Sequence, residues 1–384
     1  MKTPSVLSSA LGWLPAFLAF CLPLHPRMSS WVLLAWLPLW VWGGVRGKWK
    51  RSRWSPAAWA MAAFYGLHVC GLAWTEDLSV GLFALEEKAA LLLVPLVFNT
   101  LPNRRDDWVP WMWQAGALAI LVARIVAAIA GWEGAGWRYA DFTGPFHPTY
   151  LAMYWGVAVL FARGHRSRWL LPIFSMAIGL AASKAGWIGG GFALLWVWGA
   201  AGWKKMALPV LLGTATLALS AGISDRGRTE EFVRNSTVNV DVGEDDLKEA
   251  KGSTGGRMQA WSVAWEFIQA NPIWGVGTGD VEATLVPAYE AQGLAYAAHH
   301  RMNPHNAYLQ AALSLGLLGL LGLLVWWGLV AWRAWKDQIW SHLGILLLIA
   351  MNGLFESILE LQQGIVAIVL LTFIAGDRHN RRLD

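Results

Sequence analysis

Chargeable side chains in this 384-residue chain gather in one stretch, residues 257–308. It opens on Arg257-Met-Gln-Ala-Trp261, passes through the turn Gly275-Val-Gly-Thr-Gly-Asp280, and closes on His299-His300-Arg301-Met-Asn-Pro-His305-Asn306. Arginine offers a planar fork of donors that fits phosphate oxygens, and an imidazole can take a proton from a hydroxyl. Gathered at a membrane surface, these groups describe a site for a lipid-borne anion, with His305 and Arg257 leading and Arg301 as a further cation. Pro304 and His305 read as the opening of a helix, with Asn303 in the N-cap position and proline at the first helical position. The positive end of that helix would favour a neutral imidazole able to act as a base, and its free N–H groups would suit an anion. The competing readings are a histidine that only satisfies a helix end and arginines that only anchor to headgroups.

Other candidates are more scattered. Arg124 lies inside an apolar run, where an ionisable group marks a pathway or a paired site unless it snorkels to the interface. Lys184, in the turn Ser183-Lys-Ala-Gly186, is an ordinary loop lysine on its own. Glu86, Glu87 and Lys88 open an apolar run, and Glu356 and Glu360 share a helix face at the end of another; each carboxylate is a possible base or arginine partner. His299, His300 and His305 lack a carboxylate at ligand spacing, so no metal site is expected. The Gly275–Asp280 turn has no preceding strand, which excludes a dinucleotide motif. Gly316, Gly319 and Gly322 are read as sites of close helix packing. With no nucleotide or cofactor motif, the chemistry is expected to draw on an already activated substrate.

The elements that must position these residues are membrane helices. Hydrophobic residues make up 56% of the chain and charged residues 14%, an all-α polytopic composition. The 28 tryptophans suit the membrane interface, and basic residues scattered among short loops argue against nucleic acid. The two cysteines, both in apolar runs, provide no disulfide framework. Apolar runs near 6–24, 28–45, 55–74, 84–101, 109–131, 146–163, 169–183, 185–203, 206–223, 305–332, 339–356 and 362–376 give about 12 transmembrane helices, the first without a convincing cleavage site. Counting Lys and Arg in alternate loops gives 18 on one side, Arg46, Arg104, Arg168 and Arg333 among them, and on the other only Arg27, Lys88, Arg138 and Lys184. This places both termini in the cytoplasm. The chain then divides into helices 1–9 over 1–223, a periplasmic loop over 224–304, and helices 10–12 with a cytoplasmic tail over 305–384. The first half of the loop is polar, glycine-rich and expected to be mobile. In its second half, Met258, Trp261, Trp265 and Ile268 predict an interfacial helix from Arg257 to Ala270, capped by Ser253 or Thr254 and ended by Asn271-Pro272.

In this order, Arg257-x3-Trp261, Asn271-Pro-Ile-Trp-Gly-Val-Gly-Thr-Gly279 and His305-Asn306-x2-Leu309-x6-Gly316-x2-Gly319 resemble the signature of the O-antigen ligase family of membrane glycosyltransferases. His147-Pro-Thr-Tyr150 and the stretch Phe355–Gly364 are consistent with it. The resemblance implies transfer of a glycan from undecaprenyl diphosphate to lipid A–core at the periplasmic face of the bacterial inner membrane, by inversion and without metal or cofactor. It gives essential roles to His305 and Arg257. Lys184 stands after Ser183 where the family has an arginine, so the charge is kept and the bidentate fork is lost. Arg301 and Arg124 would help hold the diphosphate, with Asn306, His147, Glu86, Glu87, Glu356 and Glu360 as support. An O-antigen or capsule polymerase of the same superfamily is the near alternative. A non-catalytic lipid-linked glycan transporter is the distant one.

Overall fold

The computed structural model describes residues 6–49, 53–137, 139–162, 167–200, 202–224, 247–248 and 252–376, which form helices and loops without a β-strand. Residues 225–246 and 249–251, most of the first half of the 224–304 loop, and Arg138 lie outside the described residues. The helices are α1 (Val6–Gly12), α2 (Leu14–Cys21), α3 (Met28–Val45), α4 (Pro56–Gly71), α5 (Leu78–Lys88), α6 (Ala90–Thr100), α7 (Val109–Ala130), α8 (Tyr139–Thr143) and α9 (Pro148–Phe161). They continue as α10 (Leu171–Leu180), α11 (Lys184–Ala200), α12 (Trp203–Ser224), α13 (Gly252–Ala270), α14 (Val281–Ala291), α15 (Ala295–His299), α16 (Ala307–Lys336), α17 (Trp340–Asn352) and α18 (Gln362–Gly376).

All twelve apolar runs carry helix; among the described residues five helices are long and apolar enough to cross a membrane, Met28–Val45, Pro56–Trp74, Asp106–Ala130, Lys204–Ile223 and Ala307–Lys336. Pro148–Phe161, Ser167–Leu180, Trp340–Asn352 and Gln362–Gly376 are shorter apolar helices. Every residue of α9 is buried, as expected for a helix that is apolar all round and enclosed by neighbours. Trp113 Nε1 donates to Tyr154 O, and Trp155 Nε1 donates to Ala117 O, so α7 and α9 are cross-tied. In contrast α3 leaves Trp31, Leu34, Trp42 and Val45 exposed, an apolar surface suited to lipid.

Three boundaries differ from the sequence reading. Asp77 caps α5 by accepting from Ser79 N and Val80 N, so this helix starts at Leu78; Glu86, Glu87 and Lys88 close it instead of opening a span. Helix α17 stops at Asn352, which places Glu356 and Glu360 in the turns that follow and not on a shared helix face. Helix α13 already begins at Gly252, so Thr254 lies inside it; the Ser253 side chain lies outside what is described. The buried face of α13 is Gln259, Ala260, Val263 and Ala264, whereas Trp265 is 53% exposed. Small side chains win that face because they pack closely against Val281, Leu285, Tyr289 and Ala297 of α14 and α15.

The largest departure is α16. Gly316 has φ 62° and ψ −154° inside it, a backbone region open essentially to glycine alone. Were α16 straight, Tyr308 and Trp327 would stand roughly 28 Å apart, yet their ring centroids are 5.4 Å apart and edge to face. The element is therefore a hairpin, with residues 307–315 folded back along the long arm. The 272–277 turn holds the bend: Val276 N and Gly277 N donate to Leu313 O and Ser314 O, and Leu317 N donates to Pro272 O. Carbonyl and amide groups freed by the break are thus satisfied, as buried backbone requires. A Cβ on Gly316 would overlap the Ile273 carbonyl. Gly316 is therefore a bend, while Gly322, whose Cβ would meet Leu67 at 2.8 Å, is the packing site expected.

Candidate functional site

The first arm of the hairpin, roughly 13 Å long, starts beside Trp327 and Gly353, so the residues just before it are carried in from the bend toward the bundle interior. Asn306 caps this arm, its Oδ1 accepting from Tyr308 N (2.9 Å) and Leu309 N (3.0 Å). The N-cap is thus Asn306, not Asn303, and His305 stands before the helix rather than in its first turn. His305 has φ 43°, an uncommon conformation for a non-glycine residue. Asn303 fixes it by accepting from His305 N at 2.8 Å, and Ser357 Oγ donates to Asn303 Oδ1 at 3.3 Å.

Glu356 organises the centre. Its Oε2 lies 3.0 Å from His305 Nδ1, and its Oε1 accepts from Arg257 Nη2 at 2.8 Å. Arg257 Nε also donates to Phe355 O at 3.1 Å. The carboxylate side chain is 5% exposed, against 20% for Arg257 and 29% for His305; it sits behind the two groups that reach outward. Burial pushes its carboxyl pKa up, but the hydrogen bond with His305 and the fields of His147, His305 and Arg257 outweigh that and leave it below the ordinary value. An ionised Glu356 can only accept, so the proton of the neutral imidazole is assigned to Nδ1 and the lone pair to Nε2. Such a pair can act as a base while the carboxylate stabilises the imidazolium that forms. The dipole argument drawn from the sequence is replaced by this carboxylate.

Thr149, in the first turn of α9, lies 3.4 Å from Glu356 Oε1 and 3.0 Å from Ser183 Oγ. Ser183 accepts from Gly186 N, which places Lys184 at the start of α11 rather than in a loop. Lys184 Nζ is 3.3 Å from Thr254 Oγ1, one turn before Arg257 on α13, so two cations come from adjacent elements. His147 precedes α9, as expected.

Other candidates are placed elsewhere. Arg124 donates from Nε to Phe142 O and from Nη2 to Asp141 O, a cap on α8 that does not reach Glu356. Arg301 is 65% exposed and paired with Glu282 at 2.6 Å. Glu360 pairs with the buried Lys88 at 2.8 Å, tying the turns after α17 to the end of α5. Glu86 is exposed and Glu87 half-buried. The His300 ring meets those of His299 and Tyr296 edge to face, while His305 is committed to Glu356. Ser357 and Thr149 were not singled out from the sequence, and Asn303 and Lys88 were read only as a helix cap and a span end; their fold-level partners reveal their places.

An all-helical membrane protein, with a histidine, a carboxylate and two cations drawn from four separate places in the chain, is the class these features define. Residues 169–324 match the family model described as O-antigen ligase, so this segment of the chain is similar to that family. The family implies glycosyl transfer of the O-antigen ligase or polymerase type. The match contains Lys184, Arg257 and His305 and leaves Glu356 outside it. No curated protein matches the chain.

Proposed function

We propose that the protein is an inner-membrane glycosyltransferase that moves a polysaccharide from undecaprenyl diphosphate to lipid A–core on the periplasmic face. The observation that carries the reading is the three-way contact of Arg257, Glu356 and His305. The acceptor hydroxyl gives its proton to His305 Nε2 as its oxygen attacks the anomeric carbon. The carbon–oxygen bond to the diphosphate breaks, and the single displacement inverts the centre. Charge on the leaving diphosphate is met by Arg257 and Lys184, an electrostatic contribution of the usual large kind, with no metal or cofactor required. Arg301 and Arg124 are left out of this mechanism because their donors are engaged elsewhere.

The lipopolysaccharide ladder of a deletion strain tests the reading. Loss of all long chains, with lipid-linked polymer accumulating, is the expected result. A single-repeat band would assign a polymerase, and an unchanged ladder would sink both.

A further inference from the structure

Beyond the catalytic cluster, the 74–77 loop and the segment 267–284 enclose an open groove of about 700 Å³, within the range of small-molecule sites. Trp74 and Phe267 supply aromatic walls, and Glu76, Asp77, Asn271 and Thr284 supply polar groups. Among the described residues no lysine, arginine or histidine lines it. The groove is preformed. Asp280 accepts from Glu76 N (2.8 Å) and Asp77 N (3.0 Å), and Trp74 meets Trp274 edge to face at 5.4 Å. The indole N–H of Trp74 is buried and meets no acceptor among the described residues.

Carboxylates without a cation repel phosphate. Aromatic faces beside carboxylate, amide and hydroxyl groups suit a ring that presents C–H on one face and hydroxyls on its edge. We infer that this groove is a subsite for an oligosaccharide of uncharged or amino-bearing sugars, several units from the reacting end. The inference rests on the glycosyl-transfer reading above. Asn271 follows α13 at the end opposite Arg257, roughly 20 Å along the helix axis. The groove therefore lies too far away to touch the reacting sugar, while the same rigid helix fixes its distance from the reaction.

Either the donor glycan or the acceptor core could supply such sugars, and steady-state kinetics with the full-length purified protein separates them. The variants are Glu76→Arg and the pair Phe267→Ala/Asn271→Ala, each checked for an unchanged melting temperature. The expected result is a KM raised about tenfold, the worth of one or two lost polar contacts, for the long-chain form of one substrate. The kcat, and the KM for that substrate trimmed to its first sugar, should not move. A shift confined to the donor or to the acceptor names the source. Saturation-transfer NMR with the released, diphosphate-free oligosaccharide gives the second readout. Signal should be lost in the groove variants and kept in Arg257→Ala. Equal KM values for long and trimmed substrates in every variant, or binding that depends on Arg257 and not on the groove, would overturn the proposal. If the wild type transfers nothing, the function proposed above fails, and the NMR comparison still decides the subsite.

Discussion

Glu356→Gln is the most exacting perturbation of the catalytic reading, because it changes almost no volume. Arg257 Nη2 needs an acceptor at Oε1, so the amide oxygen of the glutamine must face Arg257. Its NH2 then faces His305 Nδ1, at the 3.0 Å contact now made by Oε2. An NH2 cannot accept, so Nδ1 must, and the imidazole proton moves to Nε2, where the lone pair is needed. General-base catalysis contributes about 10²- to 10⁴-fold, and turnover should fall by that factor while the donor still binds. Arg257 loses its counter-charge as well. Breaking a buried pair costs about 3 kcal/mol at the low end of its range, the appropriate end because Arg257 keeps some solvent contact. The assay is transfer by purified protein from a lipid-linked donor, with donor affinity and melting temperature measured in parallel. Near-normal turnover in Glu356→Gln would show that His305 needs no oriented tautomer, and the dyad mechanism would be wrong.

Four further outcomes are expected. Arg257→Ala should abolish transfer while the protein still inserts, and normal transfer would make this arginine a headgroup anchor. Lys184→Arg should retain activity, since charge and reach are kept; a loss above tenfold would show that the ammonium–Thr254 contact matters in itself. Gly316→Ala should destabilise by at least about 2 kcal/mol from backbone strain together with the clash on Ile273, read as a lower melting temperature. The folded-state pKa of Glu356 is depressed, so its stabilisation is fully present above its ordinary value of 4.5 and is lost as pH falls through the lower folded value. Melting temperature should therefore drop below about pH 4.5 in the wild type and less steeply in Glu356→Gln; parallel profiles would contradict the assignment.

His305 and Arg257 stood out as candidates through their residue chemistry, and Lys184 only through its place in the family's motif order; both are local properties of the chain. Helix positions were legible for the same reason, since apolar runs declare themselves. Glu356 was one carboxylate among several, because nothing in a linear chain says that a residue 51 positions away will meet a histidine. Arg124 and Arg301 stood as helpers beside Arg257 until their partners, backbone carbonyls and Glu282, were visible. The hairpin escaped notice for a different reason: glycine in an apolar run reads equally as a packing site or a bend. Only the neighbouring 272–277 turn, offering two donors and one acceptor at the break, decides between them. Trp265 shows the same limit on α13, where small residues rather than large ones took the buried face.

The division of the dyad between the hairpin and the turns after α17 also orders events during synthesis. His305 leaves the ribosome before Glu356, and both α16 and α17 lie between the pairing partners. Until the turns after α17 have been translated and packed, Arg257 and His305 have no shared carboxylate. The nascent chain can therefore hold the matched 169–324 segment in the membrane without a poised base. On the proposed mechanism the base is completed late, once the turns carrying Glu356 and Glu360 meet Arg257, His305 and Lys88.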